Sequence, residues 1–211
     1  MNSILEDYIV NHIDAEDELL AELNRATHVK ILQPRMLSGH LQGKILEMLS
    51  KMIRPKNILE IGTFTGYSAI CLAKGLVDDG KLFTIEINDE LRSFAESFIN
   101  RSTVKNKIEM LTGDALKIIP SLNIKFDLIF IDGDKREYLE YYKQSLTVLN
   151  DGGYIFADNV FWSGKVLEPL SKNDEFTKTI LAFNDFVAAD TTVEKVILPI
   201  RDGLTLIRKK S

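Results

Sequence analysis

At 211 residues the chain is long enough for one sizeable domain and short for two, and its 45% hydrophobic and 27% charged residues are ordinary for a globular protein. No apolar run approaches the ~18 residues of a membrane span, and the single cysteine, Cys71, excludes an internal disulfide framework and suits a reducing cytoplasm. A net charge of −5 disfavours broad nucleic-acid binding, and the acidic start MNSILEDYIVNHIDAEDELLAEL lacks the basic-then-apolar order of a secretory signal.

Residues 1–53 read as a helical cap. In DAEDELLAELNRATHV, an acidic first turn precedes a face of Leu19, Leu20, Leu23 and Ala26. In SGHLQGKILEMLSKMI, Ser38 is a candidate N-cap, and Leu41, Ile45, Met48, Leu49 and Met52 form the apolar face. Pro34 argues for a loop between the two.

Residues 54–211 change pattern. Short apolar runs at NILEI, KLFTIEI, KIEML, FDLIFI and GYIFA alternate with helical stretches, which predicts a parallel sheet covered on both faces. After a last helix near NDEFTKTILAFNDFVAA, the runs VEKVILPI and LTLIRKK are separated by little more than RDG, a hairpin signal. No repeat or linker divides the chain, so the expectation is one α/β domain over 1–211: a doubly wound, mostly parallel sheet with a C-terminal antiparallel hairpin and an N-terminal helical cap.

Ligands of such sheets bind outside the carboxyl ends of the strands. In LEIGTFTGYSA, Gly62 and Gly66 permit close backbone approach, and Ser68 lies in the first turn of the next helix. The spacing is E-x-G-x-x-x-G, not the dinucleotide-binding G-x-G-x-x-G, which disfavours a dehydrogenase. Glu86, near the end of the second strand, can accept both hydroxyls of an unphosphorylated ribose, so the pair of loops suggests a nucleoside-like cofactor. Asp114 reads equally as a helix cap or as a partner for an adenine amino group. Asp132 ends the fourth strand, and Asp158 and Asn159 end the fifth. If these strands are neighbours, two carboxylates and an amide oxygen converge beside Lys135, a donor set suited to a hard cation such as Mg²⁺. The plain alternative is that each caps the next helix. His12, His28 and His40 match no metal or triad spacing, and Cys71 reads as inert packing.

The motifs LEIGTFTGYSA, IEIN, GDAL, FDLIFIDGDKREY, LNDGGYIFADNV and ILPIRDGLTL, in this order, resemble the cation-dependent S-adenosylmethionine O-methyltransferases, the family of the catechol and caffeoyl-coenzyme A enzymes. The resemblance runs from about Pro34 to the C-terminus. It implies a seven-stranded Rossmann-like fold, with Asp132, Asp158 and Asn159 as ligands of the divalent cation and Lys135 as catalytic base. It implies that Glu86 holds the cofactor ribose, that Gly62 and Ser68 line its methionine portion, and that Ser38 contacts it as well. Asp114 and Ala115 would meet the adenine end, and Asp132 the cofactor's ammonium group. It also implies a homodimer acting on a catechol-like aromatic diol. Pro199 lies near the place of a substrate-binding glutamate in the mammalian catechol enzyme, which leaves the acceptor open, and Asp134 reads as a helix cap. Phe161 and Trp162 read either as walls for the acceptor or as core. Two other functions compete: O-methylation of 5-hydroxyuridine in transfer RNA, with Lys30, Arg35 and Lys165 against phosphate, and a non-catalytic nucleoside-binding module. The acidic balance weighs against the first, and Lys135 beside three oxygen donors against the second.

Overall fold

The computed structural model describes residues 3–211. Helices α1 (Ser3–Val10), α2 (Glu18–Lys30) and α3 (Gly39–Ile53) precede the first strand. The Asp17 carboxylate accepts from the Leu19 amide to start α2, and Leu20, Leu23 and Thr27 form its buried side. Pro34–Met36 make a single 3-10 turn.

Strands and helices then alternate: β1 (Asn57–Ile61), α4 (Tyr67–Ala73), β2 (Lys81–Glu86), α5 (Arg92–Ile99), β3 (Ile108–Thr112), α6 (Ala115–Ile118), β4 (Phe126–Ile131), α7 (Tyr138–Val148) and β5 (Leu149–Asp158). The last helix, α8 (Glu175–Ala189), leads into β6 (Val193–Leu198) and β7 (Leu204–Lys209). The sheet order is β3-β2-β1-β4-β5-β7-β6. Strands β1 to β5 pair in parallel, and β7 runs antiparallel to both β5 and β6. This is the expected Rossmann-like, doubly wound sheet closed by a C-terminal hairpin. From β1 the chain winds outward to β3, then returns to β4 on β1's other side, so the order reverses between β1 and β4.

Both faces of the central strands are covered, and alternate residues serve different layers. Ile58, Leu128, Phe130 and Phe156 pack with Leu46, Ala69 and Leu72 of α3 and α4. Leu59, Ile61, Ile129, Ile131 and Ile155 face Tyr138, Tyr142, Ile180 and Phe183 of α7 and α8.

One expectation fails at α3. The helix buries Leu41, Gln42, Gly43, Leu46 and Ser50, whereas Met48 and Met52 of the expected apolar face are 49% and 76% exposed. The reason is close packing on α4. A Cβ on Gly43 would lie 2.5 Å from the Tyr67 ring and 2.9 Å from Cys71 Sγ, and Ser50 Oγ donates to the Leu72 carbonyl at 2.7 Å. Small residues admit the neighbouring helix and turn the methionines outward. Ser38 occupies the position before α3, but its backbone is helical and its side chain makes no capping bond, so the hydroxyl does not serve as a cap.

Candidate active site

At the carboxyl end of β1, Gly62 has φ +101° and a Cβ there would lie 2.3 Å from the Asp132 carbonyl oxygen. The Asp132 amide donates to the Ile61 carbonyl at 2.9 Å, drawing the tips of β1 and β4 together. Glycine is therefore required by the crowded sheet tip itself, where a side chain is excluded.

Glu86 ends β2 and is buried. Its Oε2 accepts from the Phe64 amide at 2.7 Å and its Oε1 from the Asn88 amide at 3.0 Å. Two backbone donors thus fix the carboxylate, and each oxygen keeps lone-pair capacity for a ligand hydroxyl. Ser68 is buried in the first turn of α4. Asp114 caps α6 by accepting from the Leu116 amide at 3.0 Å, and Ala115 is buried behind it. The capping reading of Asp114 is thus satisfied by one oxygen, and the other lies 3.2 Å from Lys117 Nζ.

Glu60 is a buried carboxyl close enough to Asp132 and Glu86 to feel their charges, and sequence reasoning passed over it. It lies fully buried in β1, with Oε2 accepting from Thr84 Oγ1 and Oε1 without a partner. Burial pushes this carboxyl up to about 8, against the hydrogen bond from Thr84, and the charges of Asp132 and Glu86 add to the rise. The signal was present in the sequence as an acid inside an otherwise apolar strand.

The β4 and β5 tips form the polar centre. Ile131 pairs with Ala157 in parallel register, so Asp132 and Asp158 leave adjacent strand ends together. Lys135, buried, donates to Asp132 Oδ1 at 2.9 Å and to the Tyr138 hydroxyl. The Tyr138 hydroxyl in turn donates to the Ile131 and Asp158 carbonyls at 3.2 and 3.0 Å. One tyrosine therefore ties the amine to both strand tips. Asn159 follows in the left-handed region at φ 57°, and its backbone N–H donates to Asp158 Oδ1 at 2.8 Å. Asp134 caps the next turn through the Arg136 amide, as expected.

Among the described residues no group of three or more His, Cys, Asp or Glu side chains is assembled for a metal. The available set is the two carboxylates with the Asn159 amide, all oxygen donors. Burial pushes the Asp132 carboxyl up, Lys135 opposes the rise and Asp158 adds to it. Two carboxylates leaving adjacent strand tips, Asp158 buried and Asp132 partly so, are what a divalent cation would relieve, so the residues fit such an ion. Phe161 and Trp162, in the loop after Asn159, are half-buried and pack against the main core, with Trp162 stacked on Phe176 at 5.8 Å between centroids. Cys71 is buried in α4 and burial pushes its thiol up, consistent with inert packing. No helix among the described residues is long and apolar enough to cross a membrane.

Comparison with known proteins agrees with this geometry. Residues 10–210 match the O-methyltransferase family model. Caffeoyl-CoA O-methyltransferase 1 of Eucalyptus globulus is 39% identical over 180 residues, covering 81% of this chain and 73% of that protein. Caffeoyl-CoA O-methyltransferase 1 of Nicotiana tabacum is 37% identical over 207 residues, covering 93% and 86%. The Bacillus cereus O-methyltransferase solved with SAH superposes with a TM-score of 0.91 at 30% identity, over 98% of this chain and 97% of that one. The Streptomyces achromogenes O-methyltransferase of tomaymycin synthesis, solved with SAM, gives 0.90 at 30% identity, over 98% and 96%. With the fold, the rim of strand-end loops and these relatives in agreement, the chain belongs to the O-methyltransferase family and is an S-adenosylmethionine-dependent methyltransferase.

Proposed function

We propose that the chain methylates one hydroxyl of a catechol-like aromatic diol with the help of a divalent cation held by Asp132, Asp158 and Asn159. The observation that carries this reading is the placement of Asp132 and Asp158 at neighbouring strand tips, with Lys135 fixed between Asp132 and Tyr138. Similarity to enzymes named for caffeoyl-CoA supports the acceptor class, since a caffeoyl ring is itself a vicinal diol. Oxygen-only donors favour Mg²⁺ over softer metals.

The other residues take roles around that centre. Glu86 holds the ribose of the methyl donor, Gly62 and Ser68 line its methionine portion, and Ser38 borders it from the cap. Asp114 and Ala115 lie at the adenine end. Asp132, with Glu60 nearby, meets the ammonium group. A phenol titrates near ~10, so the acceptor must be deprotonated to react at neutral pH. When bound, the cation supplies positive charge that favours the phenolate and orients its neighbouring oxygen. Lys135, with its amine in the neutral form, takes the phenolic proton and becomes the ammonium, and Tyr138 keeps it in place. The phenolate oxygen then bonds to the methyl carbon as the carbon–sulfur bond breaks. Its electron pair stays on sulfur, leaving S-adenosylhomocysteine and a methyl ether.

The test is methyl transfer to catechol, a caffeoyl thioester and transfer RNA, with EDTA and then excess Mg²⁺. The expected outcome is transfer to the diols only, lost in chelator and restored by Mg²⁺. Undiminished turnover in EDTA overturns the cation, and preferential transfer to RNA overturns the acceptor.

A further inference from the structure

Arg201 lies in the turn between β6 and β7, in the left-handed region at φ 49°. Its Nη1 donates to the carbonyls of Leu37, at 3.2 Å, and Ser38, and to Gln42 Oε1 at 2.7 Å. Gln42, on α3 and 2% exposed, passes the contact on: its Nε2 donates to Asp158 Oδ2 at 2.6 Å. Guanidinium has no acceptor, so the amide must turn its oxygen to Arg201 and its nitrogen to the carboxylate. With the Asn159 backbone N–H on Oδ1, both oxygens of Asp158 are held, and each keeps a lone pair.

The same turn also holds the loop that follows the site. The Asp202 carbonyl accepts from the Phe161 amide at 2.9 Å, and Asp202 Oδ1 from the Ser163 amide at 2.6 Å. A Cβ on Gly203 would lie 2.7 Å from the Phe161 ring, so this seam is tight. The hairpin turn therefore joins the segment before α3, the carboxylate at the β5 tip and the loop with Phe161.

We propose that Arg201 and Gln42 are positioning residues that set the orientation of the Asp158 carboxylate toward its cation and tie it to the cap at residues 37–38. The proposal rests on the cation reading of the preceding section. Charge explains why a neutral amide stands between arginine and aspartate. An arginine placed directly on Asp158 would neutralise the carboxylate and compete with a divalent ion. The glutamine transmits position without placing a positive charge on the ligand. Groups of this kind, one step removed from a metal, typically change its affinity by 10–100-fold when lost.

The test measures Mn²⁺ binding by electron paramagnetic resonance of the free ion, on the parent and on Arg201→Gly and Gln42→Met. Glycine suits the left-handed backbone of position 201, and methionine keeps the volume of Gln42, so both variants should fold. Thermal melting is recorded alongside. Each substitution is expected to weaken Mn²⁺ binding roughly 10–100-fold in a folded protein. Mn²⁺ affinity within twofold of the parent in either variant overturns the brace, including when melting falls, since that would mark a merely structural contact. A parent that binds no Mn²⁺ overturns the cation reading itself, and the brace with it.

Discussion

Lys135 lies where a proton must be taken, yet its surroundings are also those of a structural ion pair, because Asp132 accepts from it at 2.9 Å with both side chains largely buried. The two roles predict different outcomes. If the amine only balances charge, its removal should loosen the β4 tip and leave chemistry with whatever cation is bound. If it takes the acceptor's proton, Lys135→Ala should cut kcat by about 10²–10⁴-fold, the usual contribution of a general base, while donor affinity by calorimetry stays near the parent. The position of Tyr138 favours the second outcome. It holds the amine with its hydroxyl and lies under it at 4.5 Å from ring centroid to Nζ, so the amine is aimed as well as paired. A kcat within twofold of the parent removes Lys135 from the mechanism.

At the scale of elements, the site exists because β1 and β4 approach closely at the point where the sheet order reverses. Gly62 permits that approach, and Gly62→Ala would place a methyl 2.3 Å from the Asp132 carbonyl oxygen and force an unfavourable φ of +101°. The expected loss is about 2–4 kcal/mol, combining backbone strain and overpacking, read as a lower urea midpoint, with weaker Mn²⁺ binding as Asp132 is displaced. Gly164→Ala is the control. It has φ +81° but nothing within 4 Å of the added Cβ, so it should cost only the strain of about 1–2 kcal/mol. Equal losses in the two would show that crowding at the sheet tip is not what Gly62 serves. The strands themselves were legible in the sequence because runs buried on both faces stay mostly apolar, as FDLIFI does after its half-buried Asp127. The helix α3 was misread because its facing is decided by Gly43 and Ser50, small residues that carry no hydrophobic signal. Gln42 and Arg201 were invisible as a pair, since the contact that gives them meaning joins α3 to a turn 159 residues away.

For the whole molecule, the buried and exposed carboxyls divide the pH dependence of stability between them. Half-buried caps such as Asp134, held low by Arg136, and Asp174, held low by the Thr177 amide, favour folding once ionised and lose that contribution as pH falls through their folded values. Glu60 works in the opposite direction. Burial raises it from 4.5 to about 8, so between those values the folded chain keeps a proton that the unfolded chain has released. Its contribution is fully present below 4.5 and is lost as pH rises through about 8. Asp132, raised in the same direction, reinforces the trend. The protein without added methyl donor should therefore show its greatest stability on the acid side of neutrality, with a urea midpoint that declines toward pH 8. Glu60→Gln replaces the protonated carboxyl with a neutral group of the same shape, and it should flatten that decline while leaving the acid limb, set by the half-buried caps, unchanged. A parental slope in the variant would mean that Glu60 is ionised in the folded chain across this range, and that its unpartnered oxygen is carried as a charge instead of being relieved by a proton.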